Sequence, residues 1–236
     1  MPRPRSLQGP RAAEILAKIC SYKLDAIKYY HFAETELLGQ PVILAARLHD
    51  VAAAGETLVA ENRVQEVRPK FEVLSDLNYE RHFIGHLQSN KVNALVPYVS
   101  CLQTLDRLSL ARKLQNRLER EGEQLEVLIQ VNTSGEETKA GLDPDEVEPF
   151  IRTISSFDAL KIRGLMTIGL NADPETARPS LASLREIADR IREQNLEGVY
   201  MDELSMGMTG DLEVAIEEGS TIVRVGSAIF GSRPAA

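Results

Sequence analysis

The chain has 236 residues, 43% of them hydrophobic and 26% charged, with a formal net charge of −8. That is ordinary globular sequence for one large domain, and its acidic balance argues against nucleic-acid or anionic-membrane partners, which select basic surfaces. The two cysteines, Cys20 and Cys101, are too few for a disulfide framework, and no apolar run approaches the roughly 18 residues that span a bilayer, so a reduced, cytoplasmic setting is expected.

Residues 1–10, "MPRPRSLQGP", are basic with no apolar segment behind them. They read as a disordered leader rather than a secretory signal, which leaves 11–236 as one domain. From Arg11 to Leu38 the spacing of Ile15, Ile19, Ala26, Ile27 and Tyr30 predicts one long helix, with Gly39 as its stop. Strand-like runs then recur at 41–46, 57–62, 81–85, 98–104, 125–132, 161–169, 199–207 and 221–226. Several are almost continuously apolar, as parallel strands covered on both faces are. Helical segments separate most of them: 63–74, 88–96, 106–120, 143–156, 175–194 and 211–219. Strict alternation of strand and helix predicts a parallel sheet. Eight strands predict a single (β/α)8 TIM-like barrel with an N-terminal helix; an open doubly wound sheet is the alternative.

One unit is abnormal. Between "PVILAA" (41–46) and "TLVAEN" (57–62) only the ten residues Arg47–Glu56 remain. A parallel crossover normally needs a dozen or more residues, helix included. The first β/α unit is therefore contracted.

In such a barrel the functional residues lie at the C-terminal ends of the strands, and a phosphate is often held by the last two loops. After the seventh strand comes "SMGMTGDLEVAI", with a hydroxyl at Thr209 and a helix opening at Asp211. After the eighth comes "RVGSAIFGSR", with Gly226 and Ser227. Glycines and helix starts present backbone N–H groups to anions. Two such loops make a phosphate cup, but ordinary glycine-rich turns would read the same way. "HFIGHLQSNK" sets His82 and His86 four residues apart. Gly85 breaks the strand between them and the stretch itself holds no carboxylate or cysteine, so no metal site is expected. There is no nucleophile elbow and no G-x-G-x-x-G after a strand.

The motifs "ENRVQE" (61–66), "HFIGHLQSNKV" (82–92), "VLIQVNTSGEETKAG" (127–141), "IRGLMTIG" (162–169), "LSMGMTGDLEVAI" (204–216) and "STIVRVGSAIFGSR" (220–233) resemble the pyridoxal 5′-phosphate (PLP) homeostasis proteins, the YggS/PROSC family. The resemblance implies the alanine racemase N-terminal type of barrel, without that enzyme's second domain. It implies PLP as cofactor and a task of binding, storing or delivering it, with PLP-dependent apoenzymes as recipients. It also implies a site made of Asn62 on the ring face, Arg224 at the pyridine nitrogen, and Ser205, Met208, Thr209, Gly226 and Ser227 around the cofactor and its phosphate. An arginine does not readily give a proton to the pyridine nitrogen, so the ring is a poor electron sink, which fits a carrier better than a fast enzyme.

The family carries PLP as a Schiff base on a lysine that ends the first strand. Here Arg47 and Leu48 follow that strand, and no lysine occurs from Tyr29 to Pro69. No catalytic residue is assigned. Three readings stay open: non-covalent PLP binding; a substitute lysine, with Lys28 ahead of Lys91 and Lys139; or an altered copy that no longer binds PLP usefully. A racemase or lyase using Lys28 is the enzymatic alternative, and a sugar-phosphate enzyme relying on Asp202 and Glu203 is a more distant one.

Overall fold

The computed structural model describes residues 57–73, 79–136 and 138–226. The leader, the helix expected over 11–38 with Lys28, the strand expected over 41–46, its contracted crossover and Ser227 all lie outside these residues.

The described residues form six parallel strands in one sheet, joined by helices. In chain order these are β1 (Leu58–Glu61), α1 (Val64–Val73), β2 (Glu80–Phe83), α2 (Val92–Leu95), β3 (Cys101–Leu105), α3 (Leu108–Glu119), β4 (Leu125–Gln130), α4 (Val147–Ile154), β5 (Leu160–Met166), α5 (Pro174–Glu193), β6 (Val199–Ser205) and α6 (Leu212–Glu217). The strands lie side by side in sequence order, β1 to β6. A doubly wound sheet reverses its order at a switch point. These six strands show no reversal and follow the order of a barrel wall.

Where the ladder is regular, strand residues alternate between two cores, as the period of two requires. On β4, Leu125, Val127 and Ile129 face the large core shared with the helices, and Leu128 faces the other way. Leu128 joins Cys101, Met166 and Ile222 in a smaller cluster on the inner face of the sheet. The helices lay apolar stripes on the outer face: Leu110, Ala111, Leu114 and Leu118 of α3, and Ala177, Leu181, Leu184, Ala188 and Ile191 of α5. Helix α5 starts where the sequence provides a cap: the Asp173 side chain accepts from the Thr176 N–H, and Pro174 takes the first turn, where no amide donor is needed.

Two expectations are corrected. The helix read over 88–96 is three short turns: a 3-10 turn at Ser89–Lys91, then α2, then a 3-10 turn at Val96–Tyr98. Pro97 has no N–H for the carbonyl one turn back, so the α-helical ladder stops before it, although Val96 keeps helical dihedrals (φ −49°, ψ −41°). The strand read over 221–226 is not a continuous ladder. It touches the sheet through one parallel bridge, Ser205 to Ile222. The bonds Ile222 N→Leu204 O, Met206 N→Ile222 O and Arg224 N→Gly207 O still tie it to the end of β6.

Candidate functional site

All six strands are parallel, so their C-terminal ends share one edge of the sheet. Residues 205–211 leave that edge from β6, and residues 222–226 run beside them. Ser220 staples the two together: its hydroxyl lies 3.2 Å from Leu204 O, 2.7 Å from Met206 O and 3.0 Å from Ile222 O. Gly207 has φ +90°, and a Cβ there would stand 2.4 Å from Ala215 Cβ. Only glycine lets the loop turn back this tightly onto α6. The Asp211 carboxylate then accepts from the Met208 N–H at 2.6 Å and fixes the loop's shape.

Arg224 is anchored at this junction. Its Nη1 donates to Ser205 Oγ at 2.7 Å and its Nη2 to Thr167 O at 2.6 Å. Ser205 and Thr167 are fully buried. Thr167 is itself locked, donating to Val131 O at 2.8 Å and lying 2.9 Å from Thr133 Oγ1. Arg224 is part-buried, so its guanidinium is held by the protein on one side and keeps some exposure. Burial pushes its pKa down to about 10, opposed by the Asp211 carboxylate. At neutral pH it stays a cation. Among the described residues both its hydrogen-bond partners are neutral oxygens, and further N–H groups remain to be offered.

The structure thus brings Ser205 and Arg224 into contact and sets Met208 and Thr209 on the adjoining loop. A Cβ at Gly210 or at Gly226 would meet open space, so both glycines lie bare on the surface of these loops. Asn62 stands at the C-terminal end of β1, on the same edge of the sheet but at the far side of the described strands, with its amide N–H donated to Glu61 Oε1 at 2.7 Å. Of the substitute lysines, Lys91 ends a 3-10 turn after β2. Lys139 donates to Gly169 O at 2.9 Å and pairs with Glu136. His82 and His86 point to different places: His82 is buried against Gln103, while His86 is half-exposed beside Asp106. Among the described residues no three His, Cys, Asp or Glu side chains gather where an ion could be held. Glu203 on β6 accepts from Thr221 at 2.8 Å, and burial pushes its carboxyl pKa up. Asp202 lies 3.4 Å from Arg163. Neither carboxylate belongs to the loops 206–211 and 223–226 that carry the glycines and Thr209.

Sequence reasoning missed Gln103, Thr167 and Ser220. The signal for Gln103 was there: in "CLQTL" it holds the same alternating face as Cys101, and a buried polar side chain needs a partner. That partner is Ser205, which is 102 residues away.

The model of the alanine racemase N-terminal domain matches residues 41–234. A pyridoxal phosphate homeostasis protein of Aquifex aeolicus is 45% identical over 181 residues, covering 76% of this chain and 78% of that one. One of Vibrio cholerae is 39% identical over 188 residues, covering 78% and 79%. Among solved structures, PipY of Synechococcus elongatus with PLP bound superposes with a TM-score of 0.72 at 33% identity, covering 79% of this chain and 87% of that one. An alanine racemase of Clostridium difficile, 14% identical with a TM-score of 0.67, shares the fold.

Proposed function

Because the chain belongs to the pyridoxal phosphate homeostasis proteins and is built on the TIM-like barrel of the alanine racemase N-terminal domain, we propose that it binds PLP and serves to store or deliver it, in the cytoplasm, to PLP-dependent apoenzymes. The observation that carries this reading is Arg224: a part-buried cation held by two neutral oxygens, next to the exposed glycines and the Thr209 hydroxyl of the last two loops. A PLP-sized anion fits that charge. Arg224 is the group to meet the pyridine ring. Thr209, Met208 and Gly226, with Ser227 beyond the described residues, are the groups to meet the phosphate, and Asn62 is the one to line the ring face. When bound, PLP supplies an aldehyde and an electron-accepting ring. Arg224 keeps its proton at neutral pH, so it presents hydrogen-bond donors without protonating the ring nitrogen, and the ring stays a weak electron sink. That suits a carrier.

The span from Tyr29 to Pro69 contains no lysine, so we further propose that the cofactor is held without a covalent bond by the strand-end residues alone. Titration of the purified protein with PLP, followed by ring absorbance, is expected to saturate at one equivalent and to reverse on dialysis. Thr209→Ala is expected to weaken binding about tenfold, the worth of one hydrogen bond to a charged group. An unsaturable titration would contradict the assignment, and so would unchanged affinity in the variant.

A further inference from the structure

A row of buried polar groups leads away from Arg224 across the inner face of the sheet. Ser205 Oγ, which accepts from Arg224, donates to Gln103 Oε1 at 2.6 Å. Gln103 Nε2 lies 2.7 Å from His82 Nδ1. The four residues come from four places in the chain: the segment after β6, β6 itself, β3 and β2. Ser205 and Gln103 are fully buried and His82 is 4% exposed.

The direction of this row is fixed at one end. A guanidinium only donates, so Ser205 must accept from it and carry its own hydrogen elsewhere. Among the described residues the acceptor for that hydrogen is Gln103 Oε1. The Gln103 amide then presents its NH2 to His82, and Nδ1 must be the bare ring nitrogen with the hydrogen on Nε2. His82 Nε2 is buried and makes no hydrogen bond, with Glu80 Oε2 at 3.7 Å. It borders a cavity of about 10 Å³ on the inner face of the sheet, shared with Glu126, Arg163 and Glu203. The row runs unbroken from Arg224 to this cavity.

We infer that Gln103 and His82 are positioning residues for Arg224: they hold the Ser205 hydroxyl turned so that a lone pair faces the guanidinium, and this sets where Arg224 sits against the ring. The inference rests on the PLP-binding reading above. Neither residue touches the cofactor. Gln103 acts through Ser205, and His82 acts by accepting from Gln103 so that its amide cannot flip.

Three measurements test it. In the unliganded wild-type protein, the ¹⁵N NMR signature of His82 should be that of the Nε2–H tautomer; a proton on Nδ1 would overturn the inference without any variant. Gln103→Leu removes both bonds at nearly constant volume, and is expected to weaken PLP about tenfold and to shift the absorbance band of the bound ring. Gln103→Glu keeps an acceptor facing Ser205 but cannot donate to His82. It is expected to recover most of the affinity and the wild-type band while moving the His82 proton to Nδ1. A folded Gln103→Leu protein that matches wild type in affinity and band, or a Glu variant that rescues neither, overturns the inference alone. A wild-type protein that takes up no PLP overturns the binding reading and the inference with it.

Discussion

Arg224→Leu is expected to weaken PLP binding about 100-fold while leaving a folded protein. A hydrogen bond to a charged group contributes about 1.5–3 kcal/mol, and tenfold in affinity corresponds to about 1.4 kcal/mol, so loss of the ring-facing cation accounts for most of two decades. The fold itself loses less. Removing the guanidinium leaves Ser205 Oγ and Thr167 O without a donor, which costs stability. It also removes a part-buried cation whose desolvation already depresses its pKa, and this offsets part of the cost. Arg224→Lys keeps the charge but not the two-pronged contact, because an ammonium on a flexible stem cannot reproduce the planar fork. It is expected to fall between wild type and the leucine variant. Equilibrium dialysis against PLP, with a thermal melt of each unliganded protein, checks both halves of the prediction.

Gly164→Ala is expected to have the largest effect on folding. At this position the register between β5 and β6 shifts, and Gly164 sits opposite Glu203. A Cβ on Gly164 would stand 1.8 Å from Glu203 O and 2.7 Å from Glu203 C. Both are backbone atoms of the neighbouring strand, so no side-chain rotation relieves the clash. The two strands must separate where they pair most extensively. Overpacking of this kind costs about 3 kcal/mol, and for a domain of this size that lowers the melting temperature by about 10 °C. Since Ser205 lies two residues beyond Glu203, the displacement reaches the site. A thermal melt and a PLP titration of the same variant are expected to fall together.

Most of the six described strands were legible in the sequence because they carry the largely apolar pattern of a covered parallel strand, as β4 does; β2, "ERHF", is the weakest. Their order was implied by strict alternation with helices, although the Asp173 cap that starts α5 was not read from the sequence. The 221–226 segment reads as a strand from "TIVRVG" alone, but the chain uses it otherwise: its backbone bonds go to Leu204, Met206 and Gly207, and its arginine turns into the junction. The turns over 88–98 were misread because one proline, Pro97, outweighs the apolar spacing. Of the site, Arg224, Ser205, Met208, Thr209 and Gly226 could be named from their motifs. Their support could not. Gln103 and His82 hold Arg224 through contacts between residues far apart in sequence, and His82 looked more like half of a pair with His86 than like the end of a buried row. Pairings of that kind depend on register, which sequence spacing does not express.

The central claim is that PLP is bound at the Arg224 end of the barrel without a covalent bond. Borohydride reduction of the protein equilibrated with one equivalent of PLP, followed by mass spectrometry of its peptides, tests this most directly. The prediction is saturable binding before reduction, and after it a chain of unchanged mass from which the cofactor dialyses away. A stoichiometric phosphopyridoxyl group on one lysine, whether Lys28, Lys91, Lys139 or another, would contradict the claim and would mark the residue that carries the cofactor.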